Sequence, residues 1–140
     1  MEIRKEWKTE AEELILKAKE ARRHSYAPYS NFKVGAALLA KDGTVFSGCN
    51  VENAAFTPGN CAERTAVFKA VSEGMRHFKA IAIAGEENGK FCTPCGVCRQ
   101  VLREFCDEET FRIYVTDGKE IRGYTLKELL PESFGPEELS

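Results

Sequence analysis

The chain has 140 residues, of which 43% are hydrophobic, and this is enough to bury the core of one compact domain. Its 20 Lys and Arg and 22 Asp and Glu give a formal charge of -2, which argues against a phosphate-rich partner such as nucleic acid. Residues 1–7 form no apolar h-region of a signal peptide, and no segment is apolar enough to span a membrane. We therefore expect a cytoplasmic protein whose six cysteines are reduced.

An amphipathic helix is predicted near the start of the chain. Apolar residues recur there at alternating spacings of three and four, which is the period of one helix face. The polar stretch at residues 25–31 contains Pro28 and ends this period. The apolar face consists of Trp7, Ala11, Leu14, Ala18 and Ala21.

A β-hairpin is predicted next. Residues 34–39 form an apolar run typical of a buried strand, and Asp42-Gly43 is a turn sequence. The return strand is predicted over residues 45–51. Asn50 and Glu52 therefore lie near the end of a strand, where sheets often present ligand-binding groups.

Two further helices are predicted next to cysteines. Asn60 is the expected N-cap of a helix over residues 61–73. Thr93 as N-cap and Pro94 as the first helical residue are expected to open a helix over residues 95–105.

Strands alternate with these helices. Residues 80–84 and 111–116 are short apolar strands, and Thr125 with Glu128 has the pattern of a capping box at the start of a last helix. No repeat, low-complexity tract or linker interrupts this order. We therefore predict one layered α/β domain over residues 1–140.

Three cysteines and one glutamate carry the chemical signal. Cys61, Cys95 and Cys98 could occupy three corners of a zinc tetrahedron, and a site with three protein ligands leaves its fourth position to water. Cys61 and Cys95 fall in the first turn of predicted helices, where unpaired amides and the helix dipole favour thiolates. Glu63 could carry protons to and from that water. This set of residues indicates a hydrolytic catalyst.

Arg64 is the candidate to balance the charge of such a site. Three thiolates on one divalent cation form a net negative cluster, which weakens the cation as a Lewis acid unless neighbouring groups offset it. Arg64 follows Glu63 directly in the sequence.

Each of these features also has a simpler interpretation. Glu63 has the spacing of a capping partner for Asn60, and the Cys95-x-x-Cys98 pair fits a redox site or half of a structural zinc site. Cys92 extends that pair into the beginning of a ferredoxin cluster motif, but Leu102 stands where the fourth cysteine is needed.

Five long motifs are spread over most of the chain. They are YSNFKVGAALL at 29–39, GCNVENAA at 48–55, CAERTA at 61–66, PCGVCRQV at 94–101 and LLPESFGP at 129–136. Several such motifs in the same order are hard to obtain by chance, and together they resemble the cytidine deaminases of the small, homotetrameric, three-cysteine zinc type. The resemblance implies a three-layer α/β/α sandwich around a mixed sheet of about five strands.

The resemblance also implies the reaction. Cys61, Cys95 and Cys98 would hold Zn²⁺, and Arg64 would donate to the cysteine sulfurs. Zinc-bound hydroxide would attack C4 of cytidine or 2′-deoxycytidine, with Glu63 as the proton shuttle. Uridine or 2′-deoxyuridine and ammonia would leave, as a step of pyrimidine salvage.

The substrate contacts follow from the same resemblance. Asn50 and Glu52 would bind the ribose hydroxyls, and the Ala62 amide would bind O2 of the base. Phe32 would lie beside ribose and base, and Phe134 of a neighbouring subunit would stack on the base. Phe56 departs from the tyrosine that many relatives carry, which puts a contact to the ribose 5′-OH in doubt.

A homotetramer that acts on cytidine or deoxycytidine is thus expected, without nucleic acid or membrane partners. Two alternatives stay open. One is a zinc deaminase for another cytosine substrate, such as a blasticidin-type nucleoside or a nucleic acid. The carboxylate of Glu52 would repel a 3′-phosphate and so favours free nucleosides. The other is a structural zinc module, in which Glu63 would be dispensable.

Overall fold

A computed structural model describes residues 2–139 and contains one five-stranded sheet with helices on both faces. Short 3₁₀ turns at Lys5–Trp7, Arg22–His24 and Pro136–Glu138 accompany the main elements. The strands are β1 (Gly35–Ala40), β2 (Val45–Cys49), β3 (Phe78–Ala84), β4 (Arg112–Thr116) and β5 (Ile121–Thr125). The helices are α1 (Lys8–Ala21), α2 (Ala62–Ser72), α3 (Gly96–Phe105) and α4 (Leu126–Leu129).

The sheet is mixed, as expected. Its strand order is β2-β1-β3-β4-β5, and every neighbouring pair is antiparallel except β3 and β4. Parallel neighbours need a crossover connection, and α3 provides it here. The fifth strand, β5, was not predicted, because its sequence Ile-Arg-Gly-Tyr-Thr is polar and contains a glycine.

Two apolar layers separate the sheet from its helices, which confirms the three-layer sandwich. Side chains alternate along each strand, so that Leu38 and Ile81 face one layer while Ala37 and Ala82 face the other. The layer that contains Leu38 and Ile81 also contains residues of α2, α3 and α4. The layer that contains Ala37 and Ala82 also contains apolar residues of α1. Small side chains on this second face let α1 lie close to the sheet.

Two glycines of the hairpin allow helices to touch the sheet backbone. A Cβ on Gly35 would lie 2.5 Å from the backbone nitrogen of Arg22, and a Cβ on Gly48 would lie 2.6 Å from the carbonyl oxygen of Ala62. Real Cβ atoms do not approach backbone atoms this closely. Gly48 therefore fixes the first turn of α2 against the end of β2, next to Asn50.

The predicted N-caps of α2 and α3 are wrong by one and two residues. Cys61 is the N-cap of α2, and its carbonyl accepts the first helical bond from the Thr65 amide at 3.0 Å. Asn60 stays extended because its backbone pairs with Val51. Cys95, not Thr93, is the N-cap of α3. By contrast, the predicted capping box of Thr125 and Glu128 is confirmed at α4.

The return strand of the hairpin is shorter than predicted. β2 ends at Cys49, and Val51 forms isolated bridges to Tyr26 and Asn60 instead of continuing the strand. Among residues 2–139, no helix combines the length and the hydropathy that a bilayer crossing requires.

Candidate metal centre and active site

Three cysteine sulfurs converge where the N-termini of α2 and α3 meet. The Sγ atoms of Cys61, Cys95 and Cys98 all lie within 4.8 Å of one another, with 4.0 Å between Cys61 and Cys95 and 3.6 Å between Cys95 and Cys98. Sulfurs about 2.3 Å from a tetrahedral zinc ion stand about 3.8 Å apart, so these spacings fit such an ion. Within residues 2–139, the cluster offers three ligands, which is the number that leaves a fourth position open.

The local sequence explains why thiolates form here. Cys61 and Cys95 are the N-cap residues of their helices, so both sulfurs lie beside unpaired backbone amides and the positive end of a helix dipole. Hydrogen bonding from the Cys98 thiol, followed by that from Arg64, lowers the pKa of Cys61 to about 5. A thiolate is therefore available at neutral pH, as metal binding requires.

Arg64 lies against this cluster. Its Nη2 donates to the Sγ of Cys61 at 3.2 Å, from the first turn of the same helix. Its Nε is the one buried side-chain polar atom in the described part of the chain that has no hydrogen-bond partner. The guanidinium thus brings positive charge to the sulfurs, and the same charge acts on the neighbouring Glu63.

Glu63 is a buried carboxyl beside the sulfurs. It is the second residue of α2, and only 5% of its surface is exposed. Burial raises the pKa of Glu63 to about 7, and the charge of Cys61 adds to this rise. A carboxyl that titrates near neutral pH can accept a proton and return it, as general acid–base catalysis requires. The buried Ala62 precedes it at the first helical position, where a backbone amide has no partner within the helix.

Asn50 holds together the segments at the end of the hairpin. Its Oδ1 accepts from the Val34 amide at 2.9 Å and from the Ser25 hydroxyl, and its Nδ2 donates to the Phe32 carbonyl at 2.8 Å. One N–H of the side-chain amide is left over from these contacts. Asn50 therefore orders the loop that carries Phe32 and keeps one donor for a ligand.

Glu52 is a surface carboxylate that organises the neighbouring loop. Its oxygens accept from the amides of Tyr29 and Ser30 at 3.0 and 3.1 Å and from the Ser30 hydroxyl. These hydrogen bonds, the hydroxyl bond first, lower the pKa of Glu52, so it is an anion at neutral pH. A cavity of about 360 Å³ lies here, and its lining includes Glu52, Asn53 and Phe56.

A two-residue bridge joins these polar residues to the cysteine cluster. The Val51 amide donates to the Asn60 carbonyl at 2.9 Å, and the Asn60 amide donates back at 2.8 Å. Val51 lies between Asn50 and Glu52, and Asn60 precedes Cys61. The candidate sugar-binding residues are thus fixed against the candidate metal ligands by backbone hydrogen bonds.

The two predicted aromatic residues are in different settings. Phe32 is half-buried and packs against the end of β3, where a Cβ on Gly85 would lie 3.0 Å from its Cζ. Phe134 is 56% exposed, and its carbonyl accepts from Gln100 of α3 at 2.9 Å. An exposed ring on a fixed backbone is available for contact outside its own chain.

Sequence reasoning missed several contributors to this site. Ser25 and Ser30 hydrogen-bond Asn50 and Glu52, and the polar stretch that contains both was the available signal. Arg99 donates to the Pro94 carbonyl and to the Leu129 carbonyl, both at 2.7 Å, and so supports the loop before Cys95. Cys92, which the sequence analysis did single out, packs against Gly85, and burial raises the pKa of its thiol to about 11.

Comparison with known proteins assigns the family. Residues 8–114 match the family model described as the cytidine and deoxycytidylate deaminase zinc-binding region. Cytidine deaminases from Sporosarcina psychrophila and Halalkalibacterium halodurans are 52% and 48% identical to the chain, over 94% and 91% of it and 96% of each relative.

Solved structures agree with this match. The crystal structure of cytidine deaminase from Burkholderia pseudomallei is 50% identical with a TM-score of 0.82, over 88% of this chain and 98% of that one. The cytidine deaminase from Mycobacterium tuberculosis is 40% identical with a TM-score of 0.76, over 89% and 96% of the two chains. The chain therefore belongs to the cytidine and deoxycytidylate deaminase family.

Proposed function

We propose that this protein is a zinc-dependent hydrolase that deaminates cytidine and 2′-deoxycytidine to uridine and 2′-deoxyuridine. The observation that carries the proposal is a buried carboxyl, Glu63, two residues from Cys61 in a cluster of three sulfurs spaced for one metal ion. A structural zinc site has four protein ligands and needs no such carboxyl.

Cys61, Cys95 and Cys98 are the proposed zinc ligands. Their sulfur spacing and the low pKa of Cys61 suit a thiolate-binding divalent ion. Zn²⁺, when bound, supplies the Lewis acidity that makes water a nucleophile at neutral pH. Electron-rich thiolates would weaken that acidity. Arg64 would limit this effect, because its guanidinium donates a hydrogen bond to the Cys61 sulfur and withdraws electron density from it.

Glu63 is the proposed carrier of both protons in the reaction. As water adds to C4 of the cytosine ring, the Glu63 carboxylate takes the proton that the water loses and delivers it to N3. C4 is then tetrahedral and bears a hydroxyl and the amine. Glu63 next takes the hydroxyl proton and passes it to the amine, so that the C4–N bond breaks and ammonia leaves. One water is consumed, and the keto base remains.

The substrate would be held by residues from both sides of the Val51–Asn60 bridge. The free N–H of Asn50 and the anionic Glu52 suit the ribose hydroxyls, and the Ala62 amide suits O2 of the base. Phe32 would lie beside the sugar and the base. Because Glu52 is ionised, it would repel a 3′-phosphate, and this favours a free nucleoside over a nucleic acid.

The finer parts of the proposal concern assembly and location. A homotetramer would let Phe134 of one subunit stack on the base in the next, and the exposed side chains of Phe56, Phe68 and Val97 are apolar surface that such an assembly would cover. A role in pyrimidine salvage in the cytoplasm is consistent with thiols kept reduced for metal binding. Residues 1–140 would form one domain, because all five strands share one sheet.

Metal analysis combined with a cytidine absorbance assay tests the function. We expect one zinc per chain and loss of the cytosine chromophore with cytidine and deoxycytidine. We expect no turnover of a 3′-phosphorylated nucleotide, an oligonucleotide or blasticidin S. X-ray absorption should report three sulfurs and one lighter ligand on zinc. Four sulfur ligands without turnover would instead support a structural zinc module.

A further inference from the structure

The C-terminal strap, residues 131–138, is tied to α3 by side chains of that helix. Gln100 donates from Nε2 to the Phe134 carbonyl at 2.9 Å, and Arg103 donates from Nε to the Ser133 hydroxyl at 2.8 Å. The N-terminal end of α3 holds Cys95 and Cys98. One helix therefore connects two candidate metal ligands to the strap that carries Phe134.

Arg103 is the buried centre of this connection. Its side chain is only 8% exposed, and it pairs with Glu137 of the strap and, at 3.5 Å, with Glu108 after the end of α3. Its Nη1 also donates to Oε2 of Glu137 at 3.3 Å. A guanidinium that is nearly fully buried needs such partners on all its edges, so the strap cannot shift without leaving a buried charge unsatisfied.

Gly135 shows how closely the strap lies on this guanidinium. A Cβ on Gly135 would stand 2.5 Å from Cζ and 2.6 Å from Nη2 of Arg103. The backbone of the strap thus lies directly against the guanidinium, and a larger residue at position 135 would push the Arg103 side chain away. Ser133 and Gly135, the two neighbours of Phe134, are both fixed by one side chain.

The ring of Phe134 is the exception in this ordered segment. It is 56% exposed, although its own carbonyl and both neighbouring residues are held. An apolar ring on an immobilised backbone loses less conformational entropy on binding than a ring on a mobile terminus.

We propose that Arg103 is a positioning residue for deamination, which acts through Ser133, Gly135 and Glu137 to preset the Phe134 ring for stacking on the base. The inference rests on the proposed function, in which Phe134 reaches the substrate of a neighbouring subunit. Arg103 itself contacts neither substrate nor metal in this scheme.

A double-mutant cycle between Arg103 and Phe134 tests the proposal. We expect Arg103→Met to raise KM for cytidine by about tenfold or more while zinc stays at one per chain and kcat changes by less than about threefold. In a Phe134→Ala background the same substitution should raise KM by no more than about twofold further, since its effect passes through the ring. Equal effects of Arg103→Met in both backgrounds, or no effect in either, would overturn the proposal.

Milder and matched variants guard against simple loss of folding. Glu137→Gln removes the charge of one partner of Arg103 at the exposed end of the network and should raise KM less than Arg103→Met does. Arg103→Lys keeps the positive charge and should give a KM between those of Arg103→Met and the wild type. Arg112→Met breaks an ion pair with Glu10 of 3.1 Å on the α1 face of the sheet and should leave KM unchanged. An equal rise in KM with Arg112→Met would show a general loss of stability instead.

Hydrogen exchange separates this proposal from the deaminase function. If the wild-type protein does not deaminate cytidine, the proposed function is wrong. Whether Arg103 holds the strap can still be read from the hydrogen-bonded backbone amides of Gly135 and Glu138. They should exchange faster in Arg103→Met and at the wild-type rate in Arg112→Met. Unchanged exchange in Arg103→Met would contradict the positioning role even in an active enzyme.

Discussion

The Nη2 atom of Arg64 donates to the sulfur of Cys61 at 3.2 Å, one turn further along the same helix. The contact places a cation beside a thiolate and is one of the causes of the low pKa of Cys61. Arg64 thereby offsets part of the negative charge of the cysteine cluster, which would otherwise weaken the bound metal ion as a Lewis acid.

Arg64→Gln should reduce catalysis more than metal binding. Loss of the guanidinium leaves the three thiolates more electron-rich, which weakens the Lewis acidity of the ion they hold, and we expect kcat to fall by about 10- to 100-fold. The measurement is steady-state kinetics together with zinc content. Arg76→Gln, at an exposed arginine beyond the end of α2, should behave as wild type. Unchanged kcat in Arg64→Gln with full zinc occupancy would contradict the role of Arg64.

Glu63→Gln should abolish turnover while the protein stays folded and metal-loaded. Glutamine has nearly the same shape but cannot carry a proton between water, N3 and the amine, and general acid–base groups typically contribute about 10²- to 10⁴-fold to the rate. Zinc analysis and the cytidine assay measure both properties. Glu73→Gln, at the exposed C-cap of α2, is the matched control. Normal turnover by a zinc-loaded Glu63→Gln protein would refute the proposed mechanism.

Removal of the metal should inactivate and destabilise the protein together. A metal ion that binds the folded protein stabilises it by the free energy of binding, and a chelator removes this stabilisation. Chelation should therefore lower the melting temperature as well as the activity. One equivalent of Zn²⁺ per chain should restore both. In Cys98→Ser added zinc should restore neither fully, because one buried ligand is lost. Full activity after chelation and dialysis would argue against a metal-dependent reaction.

Gly48→Ala should destabilise the fold and disturb the site. The new Cβ would lie 2.6 Å from the Ala62 carbonyl, so α2 must move away from β2, and overpacking of this kind costs about 1–3 kcal/mol or more. Urea denaturation measures the change in the free energy of unfolding. Ser47→Ala, at an exposed position of the same strand, should change it by less than about 0.5 kcal/mol. Equal stability of the two variants would show that α2 does not need this close approach.

Tyr114 should make stability depend on pH in the alkaline range. Burial, followed by the hydrogen bond of its hydroxyl to Glu10 at 2.6 Å, raises the pKa of Tyr114 above its unfolded value of about 10. The contribution of this pKa shift to the free energy of unfolding is therefore fully present below about pH 10 and is lost as the pH rises from there towards the pKa of the folded state. The free energy of unfolding should fall there by up to about 1.4 kcal/mol per pH unit.

Tyr114→Phe provides the control for this prediction. The variant has no phenol to ionise, so its urea midpoints between pH 8 and pH 11 should fall less steeply than those of the wild type. Parallel curves for the two proteins would show that Tyr114 does not titrate on unfolding.

The sequence predicted those parts of the molecule that depend on neighbours close along the chain. The period of α1, the capping box of Thr125 and Glu128 and the apolar strands are all set within a few residues, and the structure contains them. The same holds for the proximity of Cys95 to Cys98. Local spacing missed β5, whose polar sequence becomes a strand only because it pairs with β4.

By itself, then, the sequence determined the alternation of helices and strands and the motifs that hold the cysteines, Glu63 and Arg64. Tertiary structure alone decided that the ends of the two helices that begin after Cys61 and Cys95 meet, and that Arg103 lies against Gly135. Cys61 and Cys95, 34 residues apart in the sequence, could bind the same metal ion. Arg103 and Gly135, 32 residues apart, form one buried contact. The physical reason is that such contacts depend on how the helices pack against the sheet, and no local propensity encodes that packing.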